Sequence, residues 1–337
     1  MAAPLITVAL CTYNGASYLP AQLDSVLGQD YPSLEVLAFD DCSSDGTFEL
    51  LQAYAARDPR LRPVRNPANL GFRRNFEQAL RAGRGELVAP CDQDDVWRPD
   101  KLSRMQRALG ESAAVYCDSA LVDGDGRPLG IRLSERLAMR RFDDPAPFAF
   151  TNCVSGHALL LRRALLEEAL PVPAHVYHDW WLAFVAAGRG GIDYLAEPLV
   201  AYRQHARSVT DIAGRRRRTG VPRPAGHRMA TALAAGHRIR AMAAFPGPAQ
   251  PLLAALATVW GGWERQVVAP RLTLFLLRHR RRLFVFRRGE ARRRITRALG
   301  YLVGLRARRL LRPRAYASPE SAHPALAAGS TPGSHRG

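Results

Sequence analysis

Residues 87–97, with the sequence LVAPCDQDDVW, place three acidic side chains directly after a short apolar run. The apolar residues 87–90 are typical of a strand, and neighbouring carboxylates repel one another unless a cation or water surrounds them. If the strand conformation continues, Asp92 and Asp94 point to the same side. Two such carboxylates suit a hard divalent cation whose remaining coordination positions are filled by substrate phosphates. The alternative interpretation is an acidic loop that is simply solvated.

Between residues 5 and 109, short apolar runs alternate with segments of helical periodicity. This βαβα order predicts an α/β fold with a mostly parallel sheet and helices on both faces, an architecture typical of nucleotide-binding proteins. Ligands of such sheets bind at the carboxyl ends of the strands. The predicted strands are Leu5–Cys11, Glu35–Phe39, Leu61–Arg65 and Leu87–Pro90, and the predicted helices are Tyr18–Leu27, Asp45–Ala56, Phe72–Ala82 and Pro99–Leu109.

Two further polar clusters follow predicted strands, and each has a functional and a structural interpretation. Thr12-Tyr13-Asn14-Gly15 is typical of a turn between a strand and a helix, but its tyrosine also suits stacking on a nucleotide base. In the segment Asp40–Asp45, Asp45 is expected to cap the following helix. Asp41 is a candidate acceptor of hydrogen bonds from a base or a ribose in the crevice at the strand ends.

The segment Asn69–Asn75 lies at a predicted helix start and contains a glycine and two arginines. Gly71 permits a close approach of the backbone, and Arg74 together with the free N–H groups of the helix suits a phosphate. The structural alternative is that Asn69 caps the helix and that the arginines are solvated.

The middle of the chain offers one candidate for acid–base chemistry, in His178-Asp179-Trp180-Trp181. A carboxylate between a histidine and two indoles is partly desolvated, so the basicity of Asp179 should rise toward the useful range. The alternative is a capped helix with both tryptophans in the core. The strands predicted around this segment are Ala114–Asp118, His157–Leu161 and Ile192–Leu195.

The segment Tyr202-Arg203-Gln204-His205 ends the predicted α/β body. Arg203 and His205 could supply a guanidinium and an imidazole to a diphosphate. A histidine at a strand end also often has a structural role, so both interpretations stay open at this point.

The net charge of +18 on 337 residues is distributed unevenly. Residues 1–205 hold 21 basic and 26 acidic side chains, whereas residues 206–337 hold 27 arginines and four acids. This distribution predicts an acidic domain at 1–205, a basic linker at 206–226, an Arg-rich and mainly α-helical region at 227–312 and a disordered tail at 313–337.

The Arg-rich region has apolar side chains at helical spacing and one strongly basic segment. Residues 278–288 interleave arginines with large apolar side chains, which is typical of a membrane-surface binder; the alternative is a set of solvated helix faces or pairs with the acidic body. The predicted buried faces are Leu252, Leu256, Val259, Trp260 and Trp263 on one helix, and Ile295, Ala298, Leu299 and Leu302 on another.

No apolar stretch reaches the length of a membrane-spanning helix, and the N-terminal run reads as a strand rather than a signal peptide. Five cysteines without CxxC spacing suit a reducing compartment better than a disulfide framework. We therefore expect a cytoplasmic protein, peripheral on the inner face of the membrane if the basic segment binds lipid.

Taken in order, the motifs TYNG, DDCSSDGT, NLGFRRN, CDQDDVWRPDKL, VSGH, HDWW and YRQH resemble the family 2 glycosyltransferases, particularly bacterial rhamnosyltransferase-like members. The resemblance covers about residues 4–205 and implies a GT-A fold, a nucleotide-diphospho-sugar donor and inversion of the anomeric carbon. One departure is Cys42, where the family commonly has glycine or asparagine. There is no QxxRW motif of the processive synthases, which argues against polymer extrusion.

Carried over by motif, the resemblance assigns roles to individual residues. Asp92 and Asp94 match the DxD motif for Mg²⁺ or Mn²⁺, with Asp94 as the direct ligand, and Asp179 matches the catalytic base. Arg203 and His205 match late motifs that contact the donor's phosphates or the metal. The residues implied for donor binding are Thr12, Tyr13, Asn14, Asp41, Gly71, Arg74, Asp92, Arg203 and His205.

The sequence therefore predicts an enzyme, an inverting glycosyltransferase that moves a sugar from dTDP-rhamnose or a UDP-hexose to a hydroxyl of a glycan or lipid-linked acceptor in cell-surface polysaccharide synthesis. One alternative is a basic nucleic-acid- or membrane-binding protein with a non-catalytic nucleotide-binding domain. Nucleic acid as the partner leaves the acidic clusters unexplained. A nucleotidyltransferase needs a Gly-rich loop with a basic residue after the first strand, where this chain has TYNG.

Overall fold

One mixed sheet of nine strands runs through the part of the chain that the structure, a computed structural model, describes. The described residues are 3–205, 227–285, 291–305, 307 and 308. In chain order the strands are β1 (Ile6–Thr12), β2 (Leu34–Asp40), β3 (Leu61–Arg65), β4 (Leu87–Cys91), β5 (Val96–Trp97), β6 (Ala114–Val122), β7 (Pro128–Arg132), β8 (Leu159–Arg162) and β9 (Ile192–Arg203).

The first four strands form a parallel unit in the order β3-β2-β1-β4. Next to β4, the antiparallel strand β8 reverses the direction; β6, β9 and β5 complete the order, and β7 pairs with β6. The carboxyl ends of β1, β2 and β4 therefore lie side by side. This arrangement brings the three polar clusters of the sequence to one edge of the sheet, as the βαβα order predicts.

Helices cover both faces of the parallel strands because the side chains of each strand alternate between two apolar clusters. On β1, Val8 and Leu10 belong to one cluster, and Ala9 and Cys11 belong to the other. The helices are α1 (Leu19–Leu27), α2 (Thr47–Ala55), α3 (Phe72–Ala82), α4 (Lys101–Leu109), α5 (Ala164–Ala169), α6 (His178–Gly188), α7 (His227–Ala244), α8 (Gln250–Arg265), α9 (Pro270–Arg278), α10 (Arg280–Leu283) and α11 (Ala291–Leu299).

Two strands differ from their predicted bounds in ways that matter for function. The strand predicted at His157–Leu161 begins only at Leu159, because Gly156–Ala158 form a short 3-10 turn. The strand predicted to end at Leu195 continues to Arg203, since β9 resumes its pairing with β6 after an irregularity around Pro198. A proline interrupts the alternating pattern from which a strand end is judged, which explains the error.

The two apolar faces predicted for the Arg-rich region have opposite outcomes. Leu252, Leu256, Trp260 and Trp263 are buried on α8, and Val259 is partly buried. The face predicted around α11 is wrong: Ile295, Leu299 and Leu302 are exposed, Leu302 lies beyond the helix, and only Ala298 is buried. The inward side of α11 carries arginines instead, which contact the carbonyl group and the ring of Phe284 in the same Arg-rich region.

Parts of the predicted domain organisation lie outside the described residues, namely the linker at 206–226, the tail at 313–337 and the end of the basic segment at 286–288. Within the described part of that segment, Arg282 forms an ion pair of 2.6 Å with Asp144 of the body. No described helix is both long and apolar enough to cross a membrane.

Cys42 adopts a backbone conformation that favours glycine, with a φ of 62°. We expect Cys42→Gly to keep the free energy of unfolding within about 1 kcal/mol of the parent, because glycine removes the steric cost but adds freedom to the unfolded chain. Cys42→Val should lose about 1–2 kcal/mol, since a β-branched side chain is strained at this φ. Urea unfolding followed by tryptophan fluorescence compares the two, and equal losses would contradict this account.

Candidate active site

The loop after β1 is held against the loop after β4 by the side chain of Gln93. Its Oε1 accepts a hydrogen bond from the backbone N–H of Tyr13 at 2.8 Å, and its Nε2 donates to the Tyr13 carbonyl at 3.1 Å. The contact requires glycine at position 15, because a Cβ there would lie 2.1 Å from Oε1 of Gln93. Gln93 has no predicted role, because a backbone-to-side-chain contact across 80 residues leaves no local signal in the sequence.

The loops after β1 and β2 are also tied together, through Thr12 and Asn14. The Thr12 hydroxyl donates to Asp40 at 3.0 Å, and Asn14 accepts from the backbone N–H of Ser44 at 2.9 Å. Thr12 is buried, whereas Tyr13 keeps 49% of its surface exposed. Thr12 and Asn14 thus shape the crevice, and Tyr13 offers its ring to it.

Asp41 lies at the expected strand end, but its carboxylate is already engaged within the protein. It accepts hydrogen bonds from Asn66 Nδ2 at 2.9 Å and from the backbone N–H groups of Leu70 and Gly71 at 2.8 and 2.9 Å. Gly71 has a φ of 80° and a ψ of 150°, a region open essentially to glycine alone. Asp41 therefore positions the Leu70–Gly71 turn before α3. This structural role is additional to the base or ribose binding that the sequence suggested.

The condition under which Asp92 and Asp94 would point to the same side is not met, because β4 ends at Cys91 and the next residues bend. Asp94 Oδ2 lies 2.7 Å from Nε2 of His205. Asp92, whose side chain is 41% exposed, lies with one oxygen 3.8 Å from Nδ1 of His157. The two carboxylates are therefore directed to different histidines.

Behind this loop, His157 is the centre of a buried polar network. Its Nδ1 lies 3.1 Å from Asp95 Oδ2, and its Nε2 lies 3.1 Å from the hydroxyl of Ser119. Its carbonyl accepts a hydrogen bond of 2.7 Å from Nζ of Lys101, whose ammonium stands 2.9 Å from the centre of the Trp97 ring. Asp95, Lys101 and His157 are all at most 2% exposed.

Burial and mutual charge set the protonation of this network. Burial raises the pKa of Asp95 to about 7 and lowers the pKa of Lys101 to about 8. Burial alone would lower the pKa of His157, but the neighbouring carboxylates of Asp95 and Asp92 raise it above its ordinary value. Burial would likewise raise the pKa of Asp92, whereas His157 lowers it. The positive and negative charges of this cluster therefore balance one another within the protein.

The mouth of the crevice is lined by the last residues of β9 and by Tyr18. His205 stacks on Tyr18 with a centroid distance of 4.9 Å, and the Arg203 guanidinium lies 5.1 Å from the same ring. Arg203 is 8% exposed and donates from Nε to the Asp94 carbonyl at 2.7 Å and from Nη1 to the Gly124 carbonyl at 3.1 Å. Arg203 thus fixes the Asp94 backbone beside His205.

Two groups of oxygen and nitrogen atoms in the described part of the chain have the chemistry of metal ligands. Ligand atoms of Asp92, Asp95 and His157 lie within 4.8 Å of one another. However, Asp95 is fully buried, and the ammonium of Lys101 in the same network repels a cation. The side chains of Asp94 and His205 both reach solvent, so phosphates and water could complete the coordination of a cation held there.

Asp179, the predicted acid–base residue, lies in the first turn of α6, and one carboxylate oxygen accepts from the backbone N–H of Trp180 at 2.6 Å. Burial raises its pKa, in the direction that the sequence predicted. The preceding His178 is 6% exposed, stacks on Phe76 at 3.9 Å and has no hydrogen-bond partner on either ring nitrogen among the described residues.

Gly156 lies between the predicted base Asp179 and the buried network. A Cβ at this position would lie 2.9 Å from Nε2 of His178 and 3.7 Å from Cβ of Asp179. The next residue is His157, so one short turn touches both the start of α6 and the loop of Asp92–Asp95. The sequence showed the VSGH motif, but the convergence of its contacts is visible only in the fold.

Arg74 is the predicted site residue that the structure leaves apart from the others. Its side chain is exposed on α3 and makes no hydrogen bond or ion pair with the described residues. The neighbouring Arg73 is half-buried, and its charge lowers the pKa of Tyr177, although burial raises that pKa overall. Arg73 is therefore the arginine that faces the start of α6.

Comparison with known proteins identifies related sequences. A sequence model described as “Glycosyl transferase family 2” matches residues 7–170. An uncharacterized protein of Mycobacterium tuberculosis is 32% identical over 251 residues, which cover 70% of each chain. The succinoglycan biosynthesis protein ExoO of Rhizobium meliloti is 35% identical over 137 residues, or 40% of this chain and 39% of that protein.

Comparison with solved structures identifies the fold. The mannosyltransferase PcManGT from Pyrobaculum calidifontis, in complex with GDP-Man and Mn²⁺, aligns with a TM-score of 0.52 and 21% identity. The alignment covers 92% of this chain and 88% of that one, so the likeness includes helices that follow the sheet.

We expect Gly156→Ala to reduce turnover strongly, because the new methyl group displaces His178 and with it the first turn of α6. Gly261→Ala on α8 is the matched control, since a Cβ there meets no atom within 4 Å. Turnover with the donor found in the screen described below, together with thermal unfolding, distinguishes the two. Equal activity of both folded variants would show that this close contact does not position the base.

Proposed function

The chain is a member of glycosyl transferase family 2 and has the GT-A fold, and on that premise we propose that it transfers a sugar from a nucleotide-diphospho-sugar to a hydroxyl group with inversion at the anomeric carbon. The observation that carries this proposal is the convergence of the partly buried Asp179 and the acidic loop of Asp92–Asp95 on the turn of Gly156 and His157. A base and a diphosphate site must lie on either side of the reacting carbon in a single displacement.

The proposed chemistry needs few steps from the protein. Asp179 takes the proton of the acceptor hydroxyl while that oxygen forms its bond to the anomeric carbon. The bond from this carbon to the donor's diphosphate breaks in the same step, and the nucleoside diphosphate leaves with the electron pair. The raised pKa of Asp179 makes it a stronger base than an exposed aspartate.

We further propose that Mg²⁺ or Mn²⁺ is held by Asp94 and His205, with Asp92 at the edge of the site. When bound, such a cation neutralises the negative charge that develops on the leaving diphosphate. The distance of 2.7 Å between Asp94 Oδ2 and His205 Nε2, and the exposure of both side chains to solvent, support this assignment. The Mn²⁺ in the complex of the archaeal mannosyltransferase is consistent with it.

The donor is proposed to lie across the loops after β1 and β2. Tyr13 presents an exposed ring for the base, while Thr12, Asn14, Asp41 and Gly71 form the walls behind it. Arg203 holds the Asp94 backbone in place. Arg74, whose side chain is exposed to solvent, contacts a phosphate of the donor in this proposal. The donor is dTDP-rhamnose or a UDP-hexose in this proposal, and GDP-Man in the archaeal neighbour adds a third class to test.

The acceptor is proposed to be a glycan or a lipid-linked saccharide in cell-surface polysaccharide synthesis. The likeness to the succinoglycan biosynthesis protein ExoO supports this setting. The proposed location is the cytoplasm, peripheral on the inner membrane face, since activated donors and lipid-linked acceptors meet there. The acidic clusters at the strand ends favour this function over nucleic-acid binding, which we do not propose.

A screen of UDP-glucose, UDP-N-acetylglucosamine, GDP-mannose and dTDP-rhamnose by thermal unfolding tests the donor and metal together. We expect one donor to stabilise the protein in the presence of Mn²⁺ and to lose that effect on addition of EDTA. Asp94→Asn should lose the Mn²⁺-dependent part of the stabilisation, whereas Asp125→Asn on an exposed turn should keep it. No stabilisation by any donor would contradict the proposed function.

Asp179→Asn tests the base. We expect turnover to fall about 10²- to 10⁴-fold while the donor-induced thermal shift is retained. In the parent, activity should fall as the pH drops through the pKa of Asp179, and this loss should begin above the range of an ordinary aspartate because that pKa is raised. Glu168→Gln, which breaks an exposed pair with Arg189, serves as the control. Retained turnover in Asp179→Asn would overturn the assignment.

A further inference from the structure

The residues before α9 and the residues after α11 meet at one point of the Arg-rich region and present an apolar surface to solvent there. Val268 and Val303 form an antiparallel bridge, and the backbone N–H of Gly304 donates to the carbonyl of Val267 at 2.8 Å. A Cβ on Gly304 would lie 1.9 Å from the Gln266 carbonyl oxygen, so this close approach depends on glycine. The bridge therefore holds apolar side chains from both segments at one point of the surface.

Helices α9 and α11, which pack against each other beside this bridge, add further exposed aliphatic side chains. We name the whole set the apolar face. The fraction of each residue that is exposed is 48% for Val267, 57% for Val268, 69% for Leu274, 43% for Ile295, 47% for Leu299, 41% for Leu302 and 40% for Val303.

Helix α11 differs from an ordinary surface helix, because two of its arginines face the protein and two of its aliphatic side chains face outward. Its inner side carries Arg294, which donates from Nε to the Phe284 carbonyl at 3.1 Å, and Arg297, whose guanidinium lies 5.5 Å from the Phe284 ring. Its outer side carries Ile295 and Leu299, with Arg293 and Thr296 also exposed. A surface helix normally buries its aliphatic side chains and exposes its arginines, so the outer side of α11 is suited to an apolar environment.

The rim of the apolar face is cationic. Arg265, Arg271, Arg278 and Arg281 are exposed, and Arg271 and Arg278 flank Leu274 on one side of α9. Between residues 265 and 308 the sequence has a single acid at position 290, which is outside the described residues. Aliphatic side chains surrounded by arginines match the two layers of an anionic bilayer, whose headgroups attract the cations and whose acyl chains accept the apolar atoms.

We propose that the apolar face docks on an anionic lipid bilayer. A second copy of the chain is a poorer occupant, because a symmetric contact would bring the arginine rims of both copies together. Nucleic acid would meet the arginines but leave the aliphatic side chains in water. The proposal gives the peripheral location named above a defined surface, and it does not depend on glycosyl transfer.

Co-sedimentation of the full chain with vesicles tests the proposal directly. We expect binding to vesicles of phosphatidylcholine mixed with equal parts of phosphatidylglycerol. Binding to vesicles of phosphatidylcholine alone should be weaker by a factor of about ten or more. The double variant Leu274→Gln with Leu299→Gln should bind the anionic vesicles about tenfold less while its thermal unfolding stays unchanged. The matched control is Val64→Gln with Leu129→Gln, which replaces exposed aliphatic side chains of the α/β body.

The alternatives give separate results. Absence of vesicle binding would overturn the proposal, and so would binding that salt abolishes and the double leucine variant leaves intact, because charge alone would then suffice. A dimer in light scattering that the leucine variant dissociates would assign the face to a second copy. Displacement from anionic vesicles by a DNA duplex would assign the rim to nucleic acid. Turnover with a soluble acceptor tests the proposed function separately, and the leucine variant should leave it unchanged.

Discussion

The contact between the imidazole of His157 and the buried carboxylate of Asp95 is the interaction on which the site depends. Asp95 also accepts a hydrogen bond of 2.9 Å from the backbone N–H of Arg203 at the end of β9. The turn that carries His157 includes Gly156, against which His178 and the proposed base Asp179 pack. Loss of this contact would therefore disturb the acidic loop, the end of β9 and the first turn of α6 together, since each of them touches the same few atoms.

The division of charge between the interior and the mouth follows from burial. Inside, Lys101 lies against Trp97 and the carbonyl of His157, so the buried carboxylate is balanced by groups of the protein itself. At the mouth, Asp94 reaches solvent, His205 lies 2.7 Å from its carboxylate oxygen, and the Arg203 guanidinium donates to its backbone carbonyl. We propose the mouth as the cation site because the Asp94 carboxylate reaches solvent there and phosphates can approach it.

The sequence predicts the strands and helices that depend on local periodicity. It does not predict the conformations that are decided by contacts between residues distant in the chain. Strand Leu61–Arg65 and helix Phe72–Ala82 have the predicted bounds. In the helix, the buried residues Phe76, Ala79 and Leu80 recur at helical spacing. The direction of Asp92 could not be predicted, since the bend after Cys91 is supported by contacts with Tyr13 and with β9, which are remote in the chain. The orientation of α11 was mispredicted for a related reason: an apolar stripe does not reveal whether it packs on the protein or faces outward.

A crystal of the protein soaked with Mn²⁺ and a nucleoside diphosphate, measured at a wavelength where manganese scatters anomalously, tests the central claim most directly. The account predicts one anomalous peak about 2.1 Å from Oδ2 of Asp94 and Nε2 of His205, with Asp95 and His157 still in contact behind it. A peak among Asp92, Asp95 and His157 would show that the buried network is the metal site, and it would contradict the account.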